Sequence, residues 1–184
     1  MQGMEGEGSG RPASPNSRLG DEPGHGPVIG GVDIREVAGC TCLRLRRVAR
    51  EATRLYDTLI APTGLTGAQF GLLAQLYGAQ LRAFGLSQTA LAERVGVDQS
   101  TLTRNLKPLA AAGLVQSVPD PADRRVHLLT ITDAGRARLA QAAPLWQQAQ
   151  AILIEQVGQE AVLALNGLLE LTSKRVQHGR TSAP

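Results

Sequence analysis

Residues 86–132 read LSQTALAERVGVDQSTLTRNLKPLAAAGLVQSVPDPADRRVHLLTIT, and the fold of the whole chain turns on how this stretch is parsed. Leu91, Ala92 and Val95 stand at helical spacing and stop at Gly96, and Asp98 then opens a second apolar helical pattern. Two short helices joined by so tight a turn form a helix-turn-helix. Beyond them, Leu114-Val115-Gln116-Ser117-Val118 and Val126-His127-Leu128-Leu129-Thr130-Ile131 are predicted to pair as an antiparallel hairpin around PDPADRR, whose two prolines stiffen the turn and mark its ends.

In the second helix Leu102, Leu106, Leu109 and Ala110 make one side. Gln99, Ser100, Thr103, Arg104 and Lys107 fall on the other, and Thr101 joins them at the helix start. Amides, hydroxyls and cations are the groups that read base edges: Gln bonds adenine and Arg bonds guanine bidentately. The same composition also describes an ordinary solvated helix face. Pro108 removes one helical hydrogen bond and is expected to bend the helix beyond these positions. In the hairpin turn Asp123 stands two residues from Arg125, so its carboxylate can brace that guanidinium and leave Arg124 to project. An arginine at the tip of a thin hairpin suits a minor groove, where the narrow walls concentrate negative potential, and a solvated charged turn is the plain alternative.

The flanks read as helices. From Asp33 to about Ala61, the residues Ala38, Cys42, Leu45, Ala49, Ala52, Leu55, Tyr56 and Leu59 share one stripe, which predicts a single helix ending at Pro62 and Gly64. It would be about 42 Å long at 1.5 Å per residue, more than a compact domain needs for itself. Thr66 and Gln69 have capping-box spacing and open a helix predicted over 67–80, followed by a short connection through Phe84. Thr132 and Asp133 start another long pattern reaching Val157, in which Pro144 is expected to make a kink or a break. A last helix is predicted from Gln159 to Gln177, apolar around much of its surface and so in need of more than one neighbour. The expected class is mainly α with a small β-hairpin wing, preceded by a disordered Gly/Pro/Ser-rich arm at 1–32 and followed by a flexible tail at 179–184.

Composition agrees. With 184 residues and 42% hydrophobic side chains the chain can bury one sizeable core, and with only 3% aromatics that core must come from Leu, Val and Ala, which favours helices. The net charge of +3 is uneven: Met1–Asp33 hold five acidic and two basic residues, and the remainder holds 17 basic and 11 acidic. A net of −3 over residues 1–33 and +6 over the rest fits a nucleic-acid partner, as it fits many soluble proteins. No apolar run has the length of a membrane span and no secretion signal opens the sequence, so a cytoplasmic location without a membrane is expected.

The run from Leu86 through SQTALAERVGVDQSTLTRNLKPLAAAGLV to DPADRRVHLLTITDAG resembles the winged helix-turn-helix core of the multiple-antibiotic-resistance regulator (MarR) family, and with its flanking helices the resemblance covers about residues 33–178. It implies a homodimeric transcription factor, a repressor, bound to double-stranded DNA. The helical regions 33–66 and 133–178 would build the dimer and 67–132 the DNA-binding domain. Asp98–Ala112 would then be the recognition helix, with Gln99, Ser100, Thr101, Thr103, Arg104 and Lys107 facing DNA, and Arg124 or Arg125 would reach the minor groove. Two-fold symmetry implies a pseudo-palindromic operator with half-sites about 10 bp apart. The usual effector in the family is a small aromatic or phenolic anion held between the dimer helices and the reading head, which Tyr56, Phe70, Tyr77 and the first-helix arginines could line.

Cys40 and Cys42 leave three readings open. Cys42 is a small core residue on the apolar stripe, an oxidant sensor, or half of a CxC metal clamp. Inside a regular helix residues two apart diverge by about 200°, which opposes a disulfide or a clamp unless the helix begins after Cys40. Family members that sense hydroperoxides or hypochlorite carry a reactive cysteine near the start of the first helix. Cys42 and Tyr56 resemble that arrangement, whereas Arg46 and Gly67 stand where such sensors have further tyrosines. His25, His127 and His178 are scattered, so neither a metal site nor a cofactor is expected. Two other functions stay in view: a thiol-dependent enzyme using Cys42, though no histidine lies near to act as its base, and a winged helix used only for protein contacts.

Overall fold

The structure, a computed structural model, describes residues 27–82 and 84–181, with the side chains of 177–181 left out, and the chain divides into two compact units, 1–49 and 50–184. In the first, β1 (Val28–Ile29) pairs antiparallel with β2 (Val32–Asp33) across Gly30 and Gly31, both at positive φ. Asp33 then caps α1 (Ile34–Ala38), accepting from the Arg35 N–H at 2.8 Å while its other oxygen meets the Arg35 guanidinium at 3.0 Å. α1 closes at Gly39, and after Cys40 a new helix, α2 (Thr41–Ile60), begins. The single helix expected from Asp33 is therefore interrupted at Gly39-Cys40. The end of the expected disordered arm is an ordered hairpin, and residues 1–26 lie outside the described residues.

In the second unit α2 ends at the buried Ile60, where Ala61–Thr63 tighten into a 3-10 turn and Gly64, at φ +74°, reverses the chain. Thr66 and Gln69 close the expected capping box and start α3 (Gly67–Gln80), whose first N–H donates to Asp57 Oδ1 of α2 at 2.7 Å. Leu72, Leu73 and Leu76 make α3 the centre of the core. Around it lie α4 (Gln88–Val95) and α5 (Gln99–Ala111), which bury Leu91, Leu102 and Leu109 completely or nearly so. Each such leucine contributes about 1.5–3 kcal/mol by leaving water. α5 runs on through Pro108 to Ala111.

The wing pairs β3 (Val115–Pro119) with β4 (His127–Ile131), Val115 opposite Ile131 and Pro119 opposite His127. Leu86, the first residue of the stretch read as two helices and a hairpin, exchanges two backbone hydrogen bonds with Leu129, at 3.2 and 2.7 Å, and so adds a one-residue third strand on the other edge of β4. Gly85 permits this approach, since a Cβ there would sit 2.7 Å from the Leu129 carbonyl oxygen.

Thr132 caps α6 (Asp133–Val157): its hydroxyl accepts from Gly135 N–H at 3.0 Å and donates to the Gly113 carbonyl at 2.7 Å. Pro144 lies inside α6 without breaking it, and the helix runs the full 25 residues. Arg138 of α6 donates to the Thr63 carbonyl at 2.5 Å, tying it to the turn after α2. Gly158 makes a 105° corner into α7 (Gln159–Thr181), which extends past the expected end at Gln177 into the segment read as a tail. Among the described side chains of α7 only Val162 is buried, and Leu163, Leu168 and Leu171 stand exposed. No single helix among the described residues is long and apolar enough to cross a membrane.

Candidate nucleic-acid interface

The turn between α4 and α5 sets the geometry of the site. Gly96, at φ +70°, ends α4 and Asp98 starts α5 with its side chain, accepting from the Thr101 N–H at 2.8 Å. Asp98 also accepts the Ser100 hydroxyl at 2.5 Å and the Thr101 hydroxyl at 2.8 Å. These donors, Ser100 first and then the Thr101 N–H and hydroxyl, hold the Asp98 carboxyl well below the usual carboxylate range, so it is ionised at any physiological pH.

Gln99, Ser100, Thr103, Arg104 and Lys107 are all exposed on one side of α5, and Thr101 is half-buried at its edge. They are not chemically equal. The hydroxyl hydrogens of Ser100 and Thr101 go to Asp98, and that of Thr103 goes to the Gln99 carbonyl at 2.7 Å. Thr103 Oγ1 further accepts from Gln88 Nε2 of α4 at 2.9 Å, and Arg104 donates to Thr101 Oγ1 at 3.2 Å. Asn105, unnoticed in the sequence, donates Nδ2 to the Thr101 carbonyl at 2.9 Å. The Gln99 amide and Lys107 ammonium make no hydrogen bond or ion pair among the described residues, and with the remaining Arg104 donors they are the groups open to a ligand.

The wing turn is braced as its spacing predicts. Asp120 Oδ1 accepts from the Ala122 N–H at 2.8 Å, and the Asp120 N–H donates to the Val126 carbonyl at 2.8 Å. Asp123 holds Arg125 in a two-pronged pair, Nε to Oδ1 and a terminal nitrogen to Oδ2, both at 3.0 Å. The guanidinium lowers the Asp123 pKa and the carboxylate raises that of Arg125. Arg124 is exposed and has no ion-pair or hydrogen-bond partner among the described residues. One wing arginine is thus committed and its neighbour is not.

Tyr56 lies half-buried in the wall of a cavity of about 480 Å³ shared by α2, α3 and α6, with Phe70, Gly71, Gln75 and Trp146. Burial pushes the Tyr56 phenol above its ordinary pKa, so it stays neutral. Phe70 and Trp146 stack with centroids 6.0 Å apart, and Tyr77 joins them along an adjoining groove. Trp146 was the residue sequence reasoning missed, although its spacing from Ala142 and Ala149 marked it as facing inward. The exposed Arg50 and Arg54 are not among the lining residues. Cys40 and Cys42 belong to the first unit and are both exposed, so within that unit Cys42 is not the core residue its stripe suggested. Cys40 precedes α2, which lifts the helical restriction on bringing the two thiols together.

The profile of the MarR family matches residues 63–126. The HTH-type transcriptional regulator YdgJ of Bacillus subtilis (strain 168) is 37% identical over 79 residues, 43% of this chain and 46% of that regulator. The matched segments span 46% to 63% of the lengths of YdgJ, of the Pseudomonas putida repressor NicR and of Escherichia coli MarR. Among solved structures, the M. tuberculosis transcriptional regulator MosR is 34% identical at a TM-score of 0.63, covering 74% of this chain and 96% of its own. The transcriptional repressor CouR, solved bound to a 23-mer DNA duplex, is 29% identical at a TM-score of 0.66, covering 77% and 98%. YdgJ, MosR and CouR are each named as a transcriptional regulator or repressor. With its helix-turn-helix, braced wing and flanking helices in the order the sequence predicts, the chain belongs to the MarR family of winged-helix regulators.

Proposed function

We propose that the protein is a transcriptional repressor that binds double-stranded DNA as a homodimer, in the cytoplasm, each copy laying α5 in a major groove and its wing along the neighbouring minor groove. The observation that carries this reading is the pairing, in one reading head, of exposed Gln99, Arg104 and Lys107 on α5 with an unpaired Arg124 at the tip of a braced wing. Gln99 and Arg104 would read base edges. Ser100, Thr101 and Thr103 would contribute as acceptors and spacers, because their hydrogens are already placed. Lys107 and Arg124 would neutralise phosphates and enter the minor groove, and Arg125 would stay on Asp123 to keep the turn in shape. That CouR was solved on DNA supports the reading by likeness of fold.

Residues 33–66 and 133–178 would build the dimer. The support is α7, which leaves Leu163, Leu168 and Leu171 exposed along a helix that one chain alone does not cover. Two routes of release fit the structure. A small aromatic effector would occupy the cavity lined by Tyr56, Phe70 and Trp146, changing the spacing of the two reading heads. Alternatively, Cys40 and Cys42 would pass two electrons and two protons to a hydroperoxide, forming one disulfide, an alcohol and water.

DNA selected from a random pool, followed by fluorescence anisotropy, tests the core of this. Site-specific binding that weakens at least tenfold in Arg104→Ala and in Arg124→Ala is expected. No site-specific binding at low salt, with or without reductant, refutes it, and binding of partners indifferent to both substitutions favours a protein-interaction module. Trp146, the single tryptophan of the chain, reports on the effector: an aromatic acid that releases DNA should quench it.

A further inference from the structure

Gln88 is the first residue of α4 and stands exposed beside the capping Ser87, whose hydroxyl accepts from the Ala90 N–H at 3.1 Å and fixes where the helix begins. From that place its side chain crosses to the other helix, and Nε2 donates to Thr103 Oγ1 of α5 at 2.9 Å. The same hydroxyl donates its hydrogen to the Gln99 carbonyl, one turn back along α5, at 2.7 Å. A hydroxyl owns one hydrogen and two lone pairs, so the hydrogen and one lone pair of Thr103 are spent inside the protein.

A helical threonine ordinarily divides between two χ1 wells. Here the oxygen is held from two sides, by its own helix through Gln99 and by α4 through Gln88, which leaves one well. The Cγ2 methyl stands one staggered position, about 120°, away from that oxygen and is fixed with it. Its chemistry is singular on this face: of the exposed residues of α5 between Gln99 and Lys107, Thr103 alone carries a methyl, its neighbours being an amide, a hydroxyl and two cations. The major groove likewise offers one apolar group, the C5-methyl of thymine, and a threonine methyl meets it by direct contact.

We infer that Thr103 selects thymine through its methyl, at one base pair in each half-site, and that Gln88 is the positioning residue that turns the hydroxyl away from the DNA. The assignment rests on the reading of α5 as the DNA-contacting helix and sharpens it, since it names a base and brings in a residue of α4. A free threonine hydroxyl accepts from or donates to several bases, whereas a methyl held in one place discriminates by the presence of a single carbon.

Replacing thymine by deoxyuridine removes that carbon and nothing else. The full-length protein first selects its site from a random pool, and each thymine of the selected half-site is then replaced singly, with affinity read by fluorescence anisotropy. At one position the change should weaken binding about fourfold, the worth of one buried methyl. Thr103→Val, which keeps a methyl and loses the hydroxyl, should retain a preference for thymine over uracil there. Thr103→Ser, which keeps the hydroxyl and loses the methyl, should bring the ratio to one, and Gln88→Ala should bring it below about twofold. Because the ratio compares two DNAs on one variant, a general loss of affinity or stability cancels. No uracil-sensitive position in the wild type, or a full ratio in Thr103→Ser, overturns the methyl contact. A full ratio in Gln88→Ala with all sequences weakened alike makes Gln88 a phosphate contact and overturns its positioning role. If the wild type selects no site at all, the DNA-binding reading itself falls and this assignment with it.

Discussion

Gly135→Ala is the most informative single change to the scaffold. Gly135 is the third residue of α6, and a Cβ there would overlap the Leu114 carbonyl oxygen and lie 2.7 Å from Ile131 Cγ1. Neither neighbour can yield easily. The Leu114 carbonyl accepts the Thr132 N–H at 3.1 Å, and Ile131 is 1% exposed in the core. Forcing a methyl into such a place costs about 1–3 kcal/mol, and losing the Thr132 bond adds about 1 kcal/mol. Replacing glycine in a helix returns about 1 kcal/mol. The net is a loss of about 1–3 kcal/mol, or roughly 2–12 °C in Tm for a chain of this length. Urea and thermal melts at one fixed protomer concentration measure it, since a dimer's stability depends on concentration. Gly78→Ala on α3 is the control, because a Cβ there meets nothing within 4 Å, and a gain of up to about 1 kcal/mol is expected. If Gly135→Ala melts with the wild type, or both variants move in the same direction, the close junction of α6 with the wing is wrong.

Asp98 has a depressed pKa in the folded protein, so the stability it lends α5 is fully present above the unfolded value of about 3.9 and is lost as pH falls through the folded value. Asp98→Asn keeps a cap without a charge, and should match the wild type at pH 7 yet lose less stability than it between about pH 4 and 2, read by urea melts across that range. Arg124→Ala should reduce the salt slope of DNA binding by about one, whereas Asp123→Ala, which removes an exposed ion pair and one hydrogen bond from the Arg125 N–H, should lower the melting temperature only slightly. Leu168→Glu on α7 should give a folded monomer by sedimentation; a persisting dimer would show that α7 is not part of the seam.

Much of the reading head was legible because its signals are local. Gly96 and Asp98 mark the turn by backbone freedom and capping, and Asp123 and Arg125 need only a two-residue spacing to meet. The third strand at Leu86 was not legible, since a single bridged residue leaves no period and its partner, Leu129, is far along the chain. The break at Gly39-Cys40 was hidden by an apolar stripe that continues across it, although a glycine inside a helical pattern was the available sign. Pro144 misled in the other direction: the pattern ran on to Val157 and the proline was expected to kink or break it, yet at an exposed position α6 carries it without a break. Trp146 and Gln75 acquire meaning only from the neighbours that fold around them, and no pattern within one helix could supply that.

Leu86 and Leu129 exchange both of their backbone hydrogen bonds, so α4, α5 and the β3–β4 hairpin form a bight fastened at its base. A chain emerging from the ribosome cannot tie it until residue 129 is outside, and a product cut short before that point would display the helix-turn-helix residues without the clamp that holds them. In the finished protein the same closure makes the segment one cooperative unit, and the Leu86 and Leu129 amides should exchange their hydrogens for deuterium together, when the whole head opens, and not separately.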